Sequence, residues 1–344
     1  MRIQLSEHFT YSKLLRFTFP SVIMMIFTSI YSVVDGVFVS NFVGKTPFAA
    51  VNLIMPLLII LGALGFMIGT GGTAIVAKTL GEGKPELANQ YFSLLVYTGL
   101  IGGTAVGVLG ILFVRPVAAA LGAEGQMLED CVLYARIILA ANPCFILQNI
   151  FQSFFVTAEK PKLGLYVTVG AGLTNIVLDA LLVAVFPMGL AGAAAATALS
   201  QTVGGLVPIL YFLRKNDSLL RLTKTKFHGK ILLKTCANGS SELMSNISAS
   251  VVTILYNLQL MRLAGEDGIA AYGAIMYVAF IFAAIFIGYA VGSAPVISFH
   301  YGAENTDELK SLLRKSVVLT AVSGAAMALL ATLASAPLSK IFVG

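Results

Sequence analysis

Acidic side chains within long apolar stretches are the residues of this sequence best suited to do chemistry. Asp35 and Asp179 each lie inside an apolar stretch of more than twenty residues. Placing a charged side chain at the centre of a bilayer costs about 3 kcal/mol, so such residues are rare and are functional by default. Arg136 and Glu242 lie nearer the ends of their stretches, where a long side chain can reach the interface. The two aspartates are therefore the first candidates for a functional site.

The two aspartates are predicted to lie at the same depth in the membrane. The stretch that holds Asp35 ends near Asn41, and the stretch that holds Asp179 turns at Pro187. With a rise of 1.5 Å per residue, the carboxylates lie about 10 and about 12 Å from the same surface. Amide and hydroxyl side chains four residues apart, which share a helix face, fall at a comparable depth. The sequence thus predicts one polar cluster: Asp35, Asn175, Asp179, Thr197 and Gln201.

This cluster is predicted to bind a coupling ion. A carboxylate in a poorly solvated pocket can bind and release a proton near neutral pH, and a second carboxylate nearby strengthens the effect. When deprotonated, the pair and its amide and hydroxyl neighbours would also suit Na⁺ at Asp35 and Asp179. We therefore expect H⁺ or Na⁺ as the coupling ion, with no cofactor, no other metal, no catalytic residue and no enzymatic activity. The structural alternative is that each aspartate caps a helix break or bonds a neighbouring helix.

Composition indicates a membrane protein. The chain has 344 residues, of which 58% are hydrophobic and 11% charged, whereas soluble domains carry about 25% charged residues. The apolar stretches are long enough to cross a bilayer as helices and too long for barrel strands. The sequence predicts an all-α polytopic membrane protein with nine spans at residues 14–40, 50–76, 90–114, 127–155, 163–186, 190–213, 234–260, 269–298 and 311–335.

Lysine and arginine predict the orientation of these spans. If the N-terminus is cytoplasmic, seventeen of the 22 basic residues fall in cytoplasmic segments and four in external ones. This bias is a strong positive-inside signal. Because the basic residues are spread over five segments, the net charge of +6 reflects topology and does not indicate a nucleic-acid partner. No P-loop, HExxH motif or Cys/His metal set is present in the sequence.

A repeat of 221 residues predicts the domain organisation. The motif that begins at Gly44 returns at Gly265, and the same register places Gly81 on Gly302. Self-similarity at a fixed spacing indicates a duplicated unit. Six spans precede the second copy, so both copies enter the membrane from the same side and the repeat is parallel. The predicted domains are an N-terminal six-helix lobe at 1–213, a basic cytoplasmic linker at 214–233 and the first half of a C-terminal lobe at 234–344.

The same register predicts where the two copies differ. Tyr256 falls opposite Asp35, so we expect no equivalent ion site at that position of the second half. A central cavity for varied apolar cations would be lined by amide, aromatic and methionine side chains. Core packing and hydrogen bonds between helices would explain the same residues. The candidates for this cavity are Gln148, Gln152, Phe151, Asn257, Met55 and Met276.

The sequence resembles the MATE (multidrug and toxic compound extrusion) family, in its bacterial branch. Four motifs carry the resemblance: Val34-Asp35-Gly36, Gly81-Glu82-Gly83-Lys84, Asn175-Ile-Val-Leu-Asp179 and the glycine- and alanine-rich run from Gly189 to Thr197. The resemblance implies two six-helix lobes around a cleft, and efflux of cationic, amphipathic drugs coupled to H⁺ or Na⁺ entry. It implies that Asp35 and Asp179 carry the ion, with Asn175 and Thr197 beside them. It also implies twelve helices, so we expect helices 1–9 here and a C-terminally incomplete protein.

The sequence is also compatible with two other functions. A lipid-linked oligosaccharide flippase can share this architecture, but it needs a cationic cavity for a pyrophosphate, and Arg136 alone is available in the membrane. A non-transporting membrane fragment is the second alternative. The leading hypothesis implies small-molecule cationic drugs and the lipid bilayer as partners, no nucleic acid, a monomer, and a multi-pass location in the bacterial plasma membrane.

Overall fold

The computed structural model describes the backbone of residues 3–343. Side chains are described for these residues except 32, 33, 37, 40, 45, 254, 257, 258, 260–262, 264–275, 277, 278, 281 and 334–343. The described residues form α-helices and two π-helical segments, with no strand among them. The elements are α1 (Tyr11–Phe38), a first π segment (Val39–Val43), α2 (Lys45–Gly81), α3 (Pro85–Ala120), α4 (Gly125–Ala140), α5 (Asn142–Thr157), α6 (Pro161–Asp179), a second π segment (Ala180–Val185), α7 (Gly189–Leu213), α8 (Gly229–Gly302) and α9 (Thr306–Val343).

The prediction of an all-α polytopic membrane protein is confirmed. In the described part of the chain, seven helices are long and apolar enough to cross a bilayer, and α4 with α5 makes one further bent span. The predicted span 234–260 is not among them. The seven are Tyr11–Val43, Thr46–Gly81, Pro85–Ala120, Pro161–Val185, Gly189–Leu213, Phe282–Gly302 and Thr306–Leu333.

The predicted span 127–155 is two helices that meet at an angle of 55°. Pro143 lies in the first turn of α5. Its ring lacks an N–H and would clash with the carbonyl four residues earlier if α4 continued. The helix therefore ends at Ala140 and restarts at Asn142, a start that proline favours.

The seventh and eighth predicted spans form one helical stretch, α8. A straight helix of its 74 residues would be about 110 Å long. Gly239, near its start, packs against Met67 of α2, and Gly302, its last residue, packs against Lys78 of the same helix. These two α2 positions lie only about 16 Å apart along the axis. Thus α8 reverses direction, and the predicted boundary at 261–268 falls mostly among residues whose side chains are outside the description.

Contacts between the two halves follow the 221-residue register. A Cβ on Gly81 would overlap the carbonyl oxygen of Phe299, and a Cβ on Gly302 would overlap the carbonyl oxygen of Lys78. Phe299 and Gly302 are Lys78 and Gly81 shifted by 221 residues. Each copy therefore makes the same contact on the other, which is the property of a two-fold axis. The parallel repeat is thus a feature of the fold as well as of the sequence.

A second pair of contacts repeats this relation farther along the helices. A Cβ on Gly71 of α2 would lie 2.7 Å from the amide nitrogen of Gly239, and a Cβ on Gly292 would lie 3.0 Å from the Cα of Thr18 in α1. Thr18 is the counterpart of Gly239 in the repeat. Small residues let helices approach closely in a membrane, so glycine sets the spacing of the two halves.

An aromatic cluster holds α3, α5 and α7 together inside the first lobe. The rings of Phe92 and Phe154 lie 4.9 Å apart, and those of Phe151 and Phe212 are stacked at 5.6 Å. All four side chains are fully buried. Aromatic pairs at these distances add about 1 kcal/mol each beyond the burial of their area. This packing fixes α5 against α7 and so positions the polar residues that follow.

Candidate functional site

Both predicted aspartates lie where an α-helix widens into a π-helical segment. Asp35 is four residues before Val39–Val43, and Asp179 is the last residue of α6, directly before Ala180–Val185. The amide of Val39 is shared between the carbonyl oxygens of Asp35 and Gly36. π-Helical turns are rare and occur frequently at functional sites. The sequence pattern predicts regular helix at both positions and gives no indication of these wider turns.

Four of the five predicted residues form a connected polar cluster. The Nδ2 of Asn175 donates a hydrogen bond to the Oγ1 of Thr197 at 3.4 Å, and the Thr197 hydroxyl donates to the Oδ1 of Asp35 at 3.5 Å. Asp35 is 9% exposed, while Asp179 is fully buried and Asn175 nearly so. The chain of hydrogen bonds therefore joins α1, α6 and α7 in the interior of the first lobe.

The carboxyl groups of Asp35 and Asp179 are neighbours that interact directly. No hydrogen-bond donor to either oxygen of Asp179 occurs among the described residues. A buried carboxylate without donors is costly, and two adjacent carboxylates repel one another strongly where the dielectric constant is low. A proton or a small cation held between them would remove both penalties. This arrangement suits reversible ion binding.

Gln201 does not join the hydrogen-bonded chain. It is half-buried on α7, one turn beyond Thr197, and its Oε1 has no hydrogen-bond partner in the described part of the protein. The spacing of four places Gln201 on the same face of α7 as Thr197, but no hydrogen bond joins its amide to the cluster in the described structure.

Tyr134 of α4 belongs to the site although the sequence did not single it out. Its side chain is fully buried, and its hydroxyl lies beside Thr197 and within electrostatic reach of Asp35 and Asp179. This hydroxyl has no hydrogen-bond partner of good geometry among the described residues. A tyrosine on the apolar face of a helix is typical of core packing, so only its neighbours in three dimensions identify it.

Three candidates for the substrate cavity lie inside the first lobe. Gln148, Phe151 and Gln152 of α5 line a narrow internal gap that leaves no volume for a water molecule. Phe151 belongs to the aromatic cluster, and Gln148 packs closely against Gly204 of α7. The structure places these side chains in packed interior and not against an open cavity.

The other three candidates for the cavity are separate from this gap. Met55 is half-buried and packs against the apolar cluster that α2, α4 and α7 form around Ile54. Met276 is half-buried on α8. The side chain of Asn257 lies outside the described residues. Met55 is thus part of the first lobe, and the three candidates are not brought together in the described structure.

Curated relatives cover most of the chain. It is 27% identical over 310 residues to the multidrug export protein MepA of Staphylococcus saprophyticus, a match that covers 90% of this chain and 68% of the relative. It is 25% identical over 314 residues to the protein of the same name from Staphylococcus aureus strain COL, with the same coverage. Similarity therefore extends through both halves of the repeat.

Solved structures share the fold. A MATE protein in complex with MaL6 superposes with a TM-score of 0.92 at 23% identity, over 97% of this chain and 75% of that one. The outward-facing conformation of a multidrug resistance MATE family transporter of the MOP superfamily gives 0.91 at 23% identity, over 98% and 75%. At this identity the likeness concerns the fold alone.

The family comparison rests on both copies of the repeat. The MatE family model matches residues 20–181 and 243–344. These segments begin at nearly equivalent positions, because residue 22 shifted by 221 is residue 243. The match covers well over half of the chain and includes Asp35, Asn175 and Asp179. The chain therefore belongs to the MatE family.

Proposed function

We propose that this protein exports cationic, amphipathic drugs across the bacterial cytoplasmic membrane, driven by the entry of H⁺ or Na⁺. Its named relatives are multidrug export proteins. The single observation that carries the coupling proposal is the buried pair of adjacent carboxylates, Asp35 and Asp179, in which neither oxygen of Asp179 has a donor among the described residues. In this proposal the N-terminus is cytoplasmic, 1–213 is the ion-binding lobe, and 234–344 belongs to the second lobe.

Ion binding acts on α1 because both ends of this helix are engaged. Asp35 lies near its end in the carboxylate pair, while Thr18 lies near its start and packs against Gly292 of α8. Seventeen residues, or about 25 Å, separate the two contacts. A change at the carboxylates therefore reaches the contact between the two halves through one continuous helix. Pro20, which lies beside that contact, lacks the N–H that would stiffen it.

The electrostatic energy available is sufficient to shift a conformational equilibrium. Two unit charges 4 Å apart interact with about 4 kcal/mol at the effective dielectric constant of protein interiors. Complete reversal of an equilibrium from 1:99 to 99:1 takes about 5.5 kcal/mol, so the repulsion supplies most of that energy and shifts the populations strongly. Loss of the ion leaves Asp35 and Asp179 in repulsion and favours separation of α1 from α6. Binding of a proton or Na⁺ removes the repulsion and favours their approach.

The decisive experiment measures efflux of a cationic dye from proteoliposomes with a pH gradient or an Na⁺ gradient imposed separately. We expect one gradient to drive efflux by the parent protein and neither to drive it in Asp35→Asn/Asp179→Asn. The matched control is Asp130→Asn. Asp130 is also a buried carboxylate of the first lobe, but it accepts a hydrogen bond from Gln126 at 3.0 Å.

Each result separates the coupling role from a general need for buried carboxylates. We expect Asp130→Asn to retain most of the parent efflux. Unchanged gradient-driven efflux in the double variant would contradict the proposal. Equal loss in the control would mean that a buried acid is needed for packing, and transport of a lipid-linked pyrophosphate in place of the dye would favour a flippase.

A further inference from the structure

The segment at 214–234, which joins α7 to α8 and includes the first residues of α8, follows a fixed path, although residues 214–228 contain no regular secondary structure. Its backbone runs along the first turns of α3. The amide of Arg221 donates to the Oδ1 of Asn89 at 2.7 Å, and the amide of Thr223 donates to the Oγ of Ser93 at 2.8 Å. Leu220 is fully buried in the apolar cluster that contains Phe92 and Phe212. The segment is therefore held against α3, and its outward-facing side chains have defined positions. We call residues 214–234 the strap.

The outer side chains of this strap are strongly basic. Seven exposed lysine and arginine residues occur between 214 and 234: Arg214, Lys215, Arg221, Lys224, Lys226, Lys230 and Lys234. The one acidic residue of this range, Asp217, is bonded to Lys160 at 2.6 Å. No ion pair involves any of the seven in the described structure. The strap thus presents positive charge that forms no ion pair within the described part of the chain.

An open recess of about 590 Å³ lies between the strap and α3. Arg221 and Lys224 line it from the strap, and Asn89 and Gln90 line it from α3. Glu86 is the one acid on its wall. Two cationic groups beside neutral hydrogen-bonding groups match the needs of a phosphate, which arginine can bind through two parallel hydrogen bonds.

Apolar side chains project from the same surface. Phe227 is 81% exposed and Leu233 is 72% exposed, and lysines 224, 226 and 230 lie close by in the sequence. The strap also begins directly after Leu213, the last residue of a membrane span. Aromatic rings favour the boundary between headgroups and acyl chains, and basic surfaces with projecting apolar side chains bind there.

We propose that residues 214–234 bind the headgroups of anionic phospholipids, with the phosphate in the recess at Arg221 and Lys224 and with Phe227 inserted among the acyl chains. Clusters of four to eight basic residues beside a membrane span are typical of such binding. A soluble phosphate would use the recess but would leave Phe227 in water. Insertion of Phe227 therefore distinguishes a phospholipid from a soluble phosphate. In this proposal the phospholipid is a third ligand, separate from the transported drug and the coupling ion.

The chain contains no tryptophan, which allows a direct test. Phe227→Trp places one emitting side chain at the proposed site of insertion. The full chain is reconstituted in vesicles of phosphatidylcholine with a minor fraction of phosphatidylglycerol. Either the phosphatidylglycerol or an equal amount of the phosphatidylcholine carries brominated acyl chains, which quench tryptophan on contact. Because composition and quencher density are equal, we expect stronger quenching by the brominated phosphatidylglycerol.

Charge removal is the second arm of the test. On the Phe227→Trp background, Arg221→Gln/Lys224→Gln should lower the preference for phosphatidylglycerol by about fivefold for each charge removed. The matched control is Arg115→Gln/Arg136→Gln, which removes two exposed charges from α3 and α4; Arg115 lies about 45 Å along α3 from its first residue. We expect this control to retain the preference.

Three outcomes would overturn the proposal. Equal quenching by the two brominated lipids would show that the strap does not select a headgroup. Absence of quenching by either, with emission typical of tryptophan in water, would show that residue 227 is not inserted. An unchanged preference in Arg221→Gln/Lys224→Gln would show that the recess does not hold the headgroup phosphate.

Discussion

α1 and the beginning of α8 occupy equivalent positions in the two copies of the repeat. Thr18 of α1 packs against Gly292, and its counterpart Gly239 packs against α2 in the same manner. Farther along, α1 carries Asp35, which is 9% exposed and bonded by Thr197, whereas the counterpart is Tyr256, which is 54% exposed. The two copies have the same packing contact and different chemistry.

This difference has a structural cause. The glycine contacts lie between the two copies, and each copy packs against the other. A substitution at one of these glycines therefore alters the packing of both copies. The carboxylate cluster lies inside the first lobe and is built from α1, α4, α6 and α7, so its residues can differ from those of the other copy without disturbing the shared contact. Symmetry is therefore expected at the interface between the copies and is not required at the carboxylate cluster.

The largest effect is expected when the carboxylate is moved between the copies. In Asp35→Asn/Tyr256→Asp, the acid count is unchanged, but the new carboxylate lies at a more exposed position without the bond from Thr197. We expect gradient-driven dye efflux at background level in proteoliposomes. Tyr256→Phe alone, the matched control, should retain efflux. Restored efflux in the double variant would mean that either copy can supply the ion site.

An intermediate effect is expected at the reciprocal glycines. Gly81→Ala and Gly302→Ala each place a Cβ against a backbone carbonyl oxygen, and overpacking of this kind costs about 1–3 kcal/mol. Because the contact is two-fold, both variants should lower the midpoint of thermal unfolding by similar amounts. Gly170→Ala is the control, since nothing lies within 4 Å of the added Cβ. Clearly unequal shifts would contradict the two-fold relation.

The smallest effect is expected at an ion pair that has no counterpart in the second copy. Lys84 contacts Glu82 at 2.9 Å, and this hydrogen bond lowers the pKa of Glu82 below its ordinary value. The equivalent positions are Asn305 and Ala303. A lowered carboxyl pKa stabilises the fold above the pKa of the unfolded chain, and this contribution is lost as the pH falls through the folded value.

For this exposed pair the contribution is less than about 1 kcal/mol. Lys84→Gln should therefore unfold at a slightly lower temperature than the parent protein at pH 7, and the two midpoints should converge in acid. The measurement is thermal unfolding at both pH values. A difference that persists below the pKa of Glu82 would show that Lys84 acts through some other contact.

The spans and the repeat were predictable because they depend on local properties of the sequence. Apolar length identifies a membrane helix, and a fixed spacing identifies a duplication. The effect of individual prolines was not predictable. Pro143 accompanies the bend of 55° between α4 and α5, whereas Pro20, Pro56 and Pro116 lie within continuous helices. Neighbouring helices decide whether a lost backbone hydrogen bond is compensated, and the sequence does not name those neighbours.

The candidate site was likewise predictable in part. Asp35, Asn175, Asp179 and Thr197 were grouped from depth and helix periodicity, and the structure brings them together. Depth alone could not separate Gln201 from this group, because an adjacent turn of one helix can point beside a cluster. Tyr134 was missed because its identity as a buried tyrosine carries no signal until its neighbours are known. The roles of these residues in transport stay predictions.

The two π-helical segments bear on how this chain would tolerate the loss of single residues. Each wide turn holds one residue more than an α-helical turn of the same span. Deletion of one codon within Ala180–Val185 could be absorbed by conversion of the segment to regular α-helix, with the flanking helix kept in phase. The same deletion in the middle of α3 would rotate all later side chains of that helix by about 100°. Short in-frame deletions should therefore be least harmful immediately beside the two aspartates, where substitutions are expected to be most harmful.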